Sequence, residues 1–288
     1  MPLPPNLERA ARESEDALTA MMDAYDRQLF ASIQDIEREI LRLLRDLELN
    51  PAGNILKTSA NLQRAINAWY AMTRFAQQEI AELSDRWTAQ FEPVAQFVQA
   101  NMAASGIPVA FTAVDERLIQ VMRDIATIDL NSGVNFVYRD LGRTLTSEVL
   151  VGGNFNNLVK AIQAKLLADL LAGTIELAVG QSLGNVSTRI AHDSLMNLYA
   201  SLHWKKAEDA GIERFLYLGS RVRDSRPFCL ERKMKIFTKA EIHSWNNLNW
   251  KGKTPGVPVE IQRGGYRCID HFQAVPSAIS AEDLGLAA

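Results

Sequence analysis

The chain is poor in the residues that build stapled or strongly charged scaffolds. Only 2 of its 288 residues are cysteine, which excludes a disulfide-dense secreted framework. It holds no uncharged apolar run of about 18 residues, so a spanning helix is not expected. Lys and Arg number 31 against 34 Asp and Glu, too small an excess to keep the chain unfolded. The opening stretch MPLPPNLERAARESED lacks the basic segment and apolar core of a secretory signal. The product is therefore expected to be made and used without crossing a membrane by that route. Of the 4 histidines, His192, His203, His243 and His271, none sits in a His-Glu-x-x-His pattern. A Gly-x-Ser-x-Gly elbow and a Gly-x-x-x-x-Gly-Lys-Ser/Thr phosphate loop are also missing. These absences argue against an enzyme of the common hydrolytic or nucleotide-binding kinds.

What is present is helix. The 47% hydrophobic content suffices for one large domain or two small ones. Leu18, Met22, Tyr25, Leu29, Ile33, Ile36, Ile40, Leu43 and Leu47 recur in steps of three and four, the spacing of one helix face. Asn50-Pro51-Ala52-Gly53 stops that helix. A second stripe runs through Leu62, Ile66, Trp69, Met72, Phe75, Ile80, Leu83 and Trp87, continuing past a kink at Pro93 to Met102. Ser105-Gly106-Ile107-Pro108 reads as a turn. Further helices are expected over Val114–Ile128, closed by Asn131-Ser132-Gly133, over Val134–Leu150, and over Asn157–Gly180. The last begins at an N-cap, Ser187, and ends at Gly211. The fold class is thus mainly α with a small α+β C-terminal module, the helical part being an elongated region of about six helices. Residues 1–184 form that helical region for assembly contacts, 185–276 the module, and 277–288 a tail.

The character of the chain changes at Gly211. Arg214–Leu218 reads as a strand, and one short helix is expected over Lys239–Trp245. The rest, dense in Gly, Pro, Asn and Trp, needs a staple to be ordered. Both cysteines fall here, Cys229 and Cys268, with His271 three positions after the second. Cys-x-x-His can place two ligands on one metal, so Cys229, Cys268 and His271 form a candidate zinc site, with His243 or Asp224 as the fourth group. Two other states fit the same residues: reduced thiols packed as small hydrophobes, or a disulfide in a particle outside the reducing cell.

Charge is unevenly spread. Between Ile212 and His271 there are 12 Lys or Arg and 6 Asp or Glu, whereas Met1–Gly211 holds 19 and 26. A basic module can meet DNA phosphates or an acidic partner, or simply the acidic helical body. Arg221, Arg223, Lys233, Lys235, Lys251 and Lys253 are the candidates for that contact, and Asp224 with Arg226 for an internal ion pair.

The order of features from Asn185 to Val275 is familiar: Arg189-Ile190-Ala191, then Tyr217-Leu218-Gly219, Asp224-Ser225-Arg226, and Gly264-Gly265-Tyr266-Arg267-Cys268 before Phe272-Gln273-Ala274-Val275. This resembles the C-terminal domain of the phage Mu F-like minor head protein family, the head-morphogenesis proteins of tailed phages. The sequence departs from the family in reading His192-Asp193-Ser194 after the Arg-Ile-Ala helix, and Arg267-Cys268-Ile269-Asp270-His271 at the close. The resemblance implies a structural virion protein at the portal vertex, made in the host cytoplasm and acting in capsid assembly or in DNA packaging and ejection. Its partners would be portal, capsid or scaffold proteins and sister copies, with packaged DNA met non-specifically. The 13 residues after Val275 are too few for an appended effector. The alternatives are a metal-dependent nuclease or DNA-processing enzyme in the C-terminal module, to which His243, Asn246 and Asn247 could contribute, and a cytosolic helical adaptor.

Overall fold

A computed structural model of the chain describes residues 5–167, 182–219 and 225–276. Six helices come first: α1 (Pro5–Leu44), α2 (Ser59–Thr88), α3 (Phe91–Ala104), α4 (Ala113–Val151), α5 (Phe155–Leu167) and α6 (Leu183–Asp209). They are followed by β1 (Arg214–Leu218), α7 (Pro227–Arg232), β2 (Lys235–Thr238), α8 (Lys239–Ser244), a 3-10 turn at Trp245–Asn247, α9 (Val259–Gln262) and β3 (His271–Ala274). The protein is mainly α with a small α+β module near its C-terminus. Among the described residues no helix is long and apolar enough to cross a membrane. The tail at 277–288 and the last part of the expected Asn157–Gly180 helix lie outside the described residues.

Contacts gather the chain into two compact units. One takes Met1–Asp23, Ala89–Asp124 and His192–Ala288, the other Ala24–Thr88 and Ile125–Ala191.

The second unit is an apolar helical core. From α1 it buries Leu29, Ile33, Ile36, Ile40 and then Leu44, not Leu43, because the stripe keeps its step of four to the helix end. The α2 stripe holds in part: Met72, Ile80, Leu83 and Trp87 are buried as expected, and the first half of the stripe is shifted. Ala65, Ala68, Met72 and Ala76 are buried, while Leu62, Ile66, Trp69 and Phe75 flank them half-buried. Small side chains on the inner face let neighbouring backbones approach, and the large ones seal the sides.

Three further expectations fail, at Gly133, Pro93 and Ser187. Asn131-Ser132-Gly133 does not end a helix, since α4 runs unbroken from Ala113 to Val151. At Gly133 a side chain would collide with Val186, and at Gly142 it would enter the indole of Trp69, with Cδ1 only 2.7 Å away. These glycines are notches for packing rather than breaks in the helix. Pro93 likewise does not kink a longer helix: α2 stops at Thr88, and Pro93 sits in the first turn of α3, where its missing N–H costs nothing. Ser187 is not an N-cap but lies buried inside α6; the capping oxygen is Ser182 Oγ, which accepts from the Asn185 N–H at 3.2 Å.

The first unit is held by buried polar links. Asn101 Nδ2 donates to Ala10 O and Ser14 Oγ at 2.6 Å each, and the Tyr199 hydroxyl reaches the same Ser14 Oγ at 3.3 Å. Gln273 Nε2 donates to Ser105 Oγ at 3.1 Å, and Lys206 pairs with Asp115, both fully buried, while also donating to Ala110 O at 2.6 Å. Burial pushes the Asp115 carboxyl up, but hydrogen bonds from Lys206 and Thr112 outweigh it and hold the group below the usual range. Gly106 and Gly211 take positive φ of 80° and 66° and close α3 and α6 with the crossed bonds Ile107 N–H to Met102 O and Ile212 N–H to Ala207 O, each 2.9 Å.

Gly142→Ala is expected to lower stability by about 1–2 kcal/mol. At an open helix site the same change would add about 1 kcal/mol. Here Trp69 is held by its own bond from Nε1 to Tyr138 O at 3.3 Å and cannot step aside freely. Thermal unfolding of the variant is the check, and a raised midpoint would contradict this packing.

Candidate functional site

The three strands form one antiparallel sheet in the order β2-β1-β3. β1 lies in the middle, so both of its edges are paired, and Phe215, Leu216, Tyr217 and Leu218 are all buried. Tyr217 stands opposite Lys235 on one side and Phe272 on the other, and Leu218 opposite His271. Residues facing each other across antiparallel strands share a sheet face. Tyr217, with its ring edge-on to Phe272 at 5.1 Å, therefore projects away from the face that carries His271.

On the Tyr217 face four reactive atoms converge. Pro227 opens α7 and places Cys229 in its first turn; the cysteine's sulfur lies 3.9 Å from that of Cys268. The Tyr217 hydroxyl is 3.5 Å from Cys229 Sγ, 3.9 Å from Cys268 Sγ and 3.5 Å from Asp270 Oδ2. Cys268 Sγ is 3.7 Å from Asp270 Oδ2. All four side chains are buried, and both cysteines are free thiols.

Gly264 makes room for the pair. A side chain there would strike Cys229 Sγ and come within 2.8 Å of Cys268 Sγ. Its N–H instead donates to Cys268 Sγ at 3.3 Å. The other carboxylate oxygen of Asp270 meets Lys233 Nζ at 2.9 Å, both groups being buried.

These contacts set the protonation. The hydrogen bond from Cys229 lowers the Cys268 thiol to about 7 against the opposing effect of burial, with Arg263 and the Gly264 N–H helping. The same bond, together with burial, pushes Cys229 up. Cys268 is thus the more readily ionised thiol of the pair, and Cys229 the more firmly protonated one. Burial pushes the Tyr217 phenol well up, so it stays protonated.

Of the residues expected to hold a metal, Cys229 and Cys268 come together, and the third member of their group is Asp270 rather than His271. Residues 268–270 lead straight into β3, and neighbouring side chains in extended chain point to opposite faces. His271 lies on the other face, edge-on to Tyr199 at 5.6 Å. His243 stands outside the cluster. Its Nδ1 pairs with Glu260 Oε1 at 2.9 Å, Asn246 Nδ2 reaches Glu260 Oε2 at 3.1 Å, and together with Lys253 they line an open cleft of about 580 Å³.

Among the six basic candidates, Lys235 and Lys251 are exposed. Lys233 is buried against Asp270, so it offers no surface charge, and Lys253 Nζ caps Asn246 O and Leu248 O at 2.6 Å each. Arg221, Arg223 and Asp224 lie outside the described residues. Arg226 donates to Tyr266 O at 2.6 Å and lies 4.7 Å over the Tyr266 ring.

The sequence reading missed Asp270, Tyr217 and Lys233 as members of one cluster. A signal existed for Asp270, a carboxylate two positions from a cysteine; the other two depend on sheet register. No protein-family model, no curated protein and no solved structure matches the chain. Fold and cluster together define its class as a mainly helical protein whose α+β module closes around a buried thiol–carboxylate group.

Two buried imidazoles give the first unit a pH dependence. Burial lowers His203 to about 3, with His271 adding to the effect, and lowers His271 to about 4. Both values lie below the usual imidazole range near 6.5. Below that pH the unfolded chain takes up protons that the folded protein refuses, so stability falls as pH drops from about 6.5 toward 4. Each imidazole contributes about 1.4 kcal/mol per pH unit in that window. Urea unfolding at stepped pH should show this slope, and His203→Phe should reduce it by about one proton's worth. An unchanged slope in the variant would contradict the neutral burial of His203.

Proposed function

We propose that the chain is a structural minor head protein of a tailed phage, incorporated in the virion head near the portal vertex and made in the host cytoplasm. Its work is mechanical: contacts with portal, capsid or scaffold proteins and with sister copies during assembly, or during DNA packaging and ejection. The observation that carries this reading is the convergence of the separate sequence pieces behind the resemblance. Asp193, where the chain departs from the family just after Arg189-Ile190-Ala191, accepts from the Arg267 N–H of the closing motif at 2.5 Å. Tyr217, of the Tyr-Leu-Gly segment, meets Cys268 of the closing motif. Arg226, of the Asp-x-Arg segment, grips Tyr266 of the same motif. These pieces, up to 74 positions apart in sequence, meet within one compact unit, as the parts of one domain do.

Assembly contacts have material to work with. On α4, Val121, Ile125 and Ile128 are exposed at 52%, 46% and 62% and follow one another at helix spacing. Lys235 and Lys251 offer exposed positive charge for phosphate contacts that weaken with salt.

The test is mass spectrometry of gradient-purified heads made by the genome that encodes the chain. The expected result is the chain at a small fraction of the major capsid protein. Its absence from particles, with full abundance in the soluble lysate, would overturn the proposal in favour of the adaptor reading. Plasmid cleavage by the purified chain with added Mg²⁺, Mn²⁺ or Zn²⁺, lost in His243→Ala, would overturn it in favour of a nuclease.

A further inference from the structure

The four atoms that meet in the C-terminal module have the dimensions of an ion's coordination shell. In a tetrahedral zinc site with bonds of about 2.3 Å to sulfur and 2.0–2.2 Å to oxygen, the S–S edge is about 3.8 Å and the S–O edges about 3.5 Å. The observed S–S edge is 3.9 Å, and three S–O edges are 3.5, 3.9 and 3.7 Å. The edge between the two oxygens is 3.5 Å, and Cys229 Sγ lies within 4.8 Å of the Asp270 carboxylate. We infer that Cys229, Cys268 and Asp270 bind a thiophilic divalent cation of the Zn²⁺ class, with the Tyr217 hydroxyl closing the fourth position.

The surroundings fit such a centre. Lys233 holds the second oxygen of Asp270 at 2.9 Å, so the carboxylate presents only Oδ2 inward. An outer partner of this kind orients a ligand and fixes which atom binds. The Gly264 N–H donates to Cys268 Sγ at 3.3 Å, a bond that favours thiolate over thiol. A disulfide would use the cluster less well. The sulfurs would have to close from 3.9 Å to about 2.05 Å, and a neutral S–S bond would then face the inward carboxylate oxygen without neutralising its charge.

The centre would tie α7, through Cys229, to the paired strands β1 and β3, through Tyr217 on the first and Cys268 with Asp270 just before the second. That is the staple which a stretch so rich in turns requires. The inference does not depend on the head-protein proposal, since a metal-bound module could serve any of the functions considered.

The experiment uses the full chain, purified under reducing conditions without chelator and incubated with equimolar Zn²⁺ before dialysis. Elemental analysis should give about one zinc per chain, and X-ray absorption at the zinc edge about two sulfur and two oxygen scatterers. Replacing zinc with Co²⁺ should produce the visible bands of a tetrahedral thiolate site. Cys268→Ser and Asp270→Ala should lose most of the metal, whereas His271→Gln should keep it. If the ligand variants fail to fold by circular dichroism, the edge spectrum of the wild-type chain decides alone. Three results would overturn the inference: zinc well below stoichiometric, an imidazole among the ligands, or no titratable thiol in the denatured chain.

Discussion

A buried guanidinium ties the C-terminal module to its helix at the turn before β3. Arg263 is 1% exposed and sits at φ +54°, a conformation that L-residues seldom adopt. Its guanidinium donates to Met196 O on α6 at 2.6 Å, and to Cys268 O and Asn197 Oδ1 at 3.4 Å each. A buried cation without compensation costs several kcal/mol. Here the carbonyls of Met196, Ile261 and Cys268 accept from it, and its positive charge helps to lower the Cys268 thiol. The turn from Arg263 to Cys268 therefore cannot leave α6 without stranding a charge. The position of β3, and with it the whole sheet, follows from that turn.

The two units rest on different physics. The second is an alanine- and leucine-rich helical core, in which glycine notches at 133 and 142 admit Val186 and Trp69. Its stability comes from apolar burial and close packing. The first unit spends much of its interior on polar groups: Lys206 with Asp115, Asn101 with Ser14, Gln273 with Ser105, and Lys233 with Asp270. Such links add little net stability, but they are directional, and breaking one strands its partner.

Much of the architecture was legible because it depends on local rules. The helix faces of α1, the turn at Ser105–Pro108, the strand at Arg214–Leu218 and the helical stretch from Lys239 follow from spacing and punctuation. What escaped depends on partners distant in sequence. Gly133 reads as a break until Val186 fills the notch, and the first half of the α2 stripe reads as Leu, Ile and Trp until close backbones select the alanines. Ser187 looks like a cap because nothing local reveals Ser182 as the better placed oxygen. At the site, the two cysteines were legible as a pair. The choice of Asp270 over His271 rests on where β3 begins, and the membership of Tyr217 on its register.

The sheet module and the segments Met1–Asp23 and Ala89–Asp124 form one cooperative unit joined through buried polar links. Native-state amide hydrogen exchange of the full chain, read by mass spectrometry, tests it most directly. The account predicts that amides of β1, β3 and the Arg263–Cys268 turn lose protection at the same denaturant concentration as those of α3. A module that keeps its protection after α3 has exchanged would contradict it.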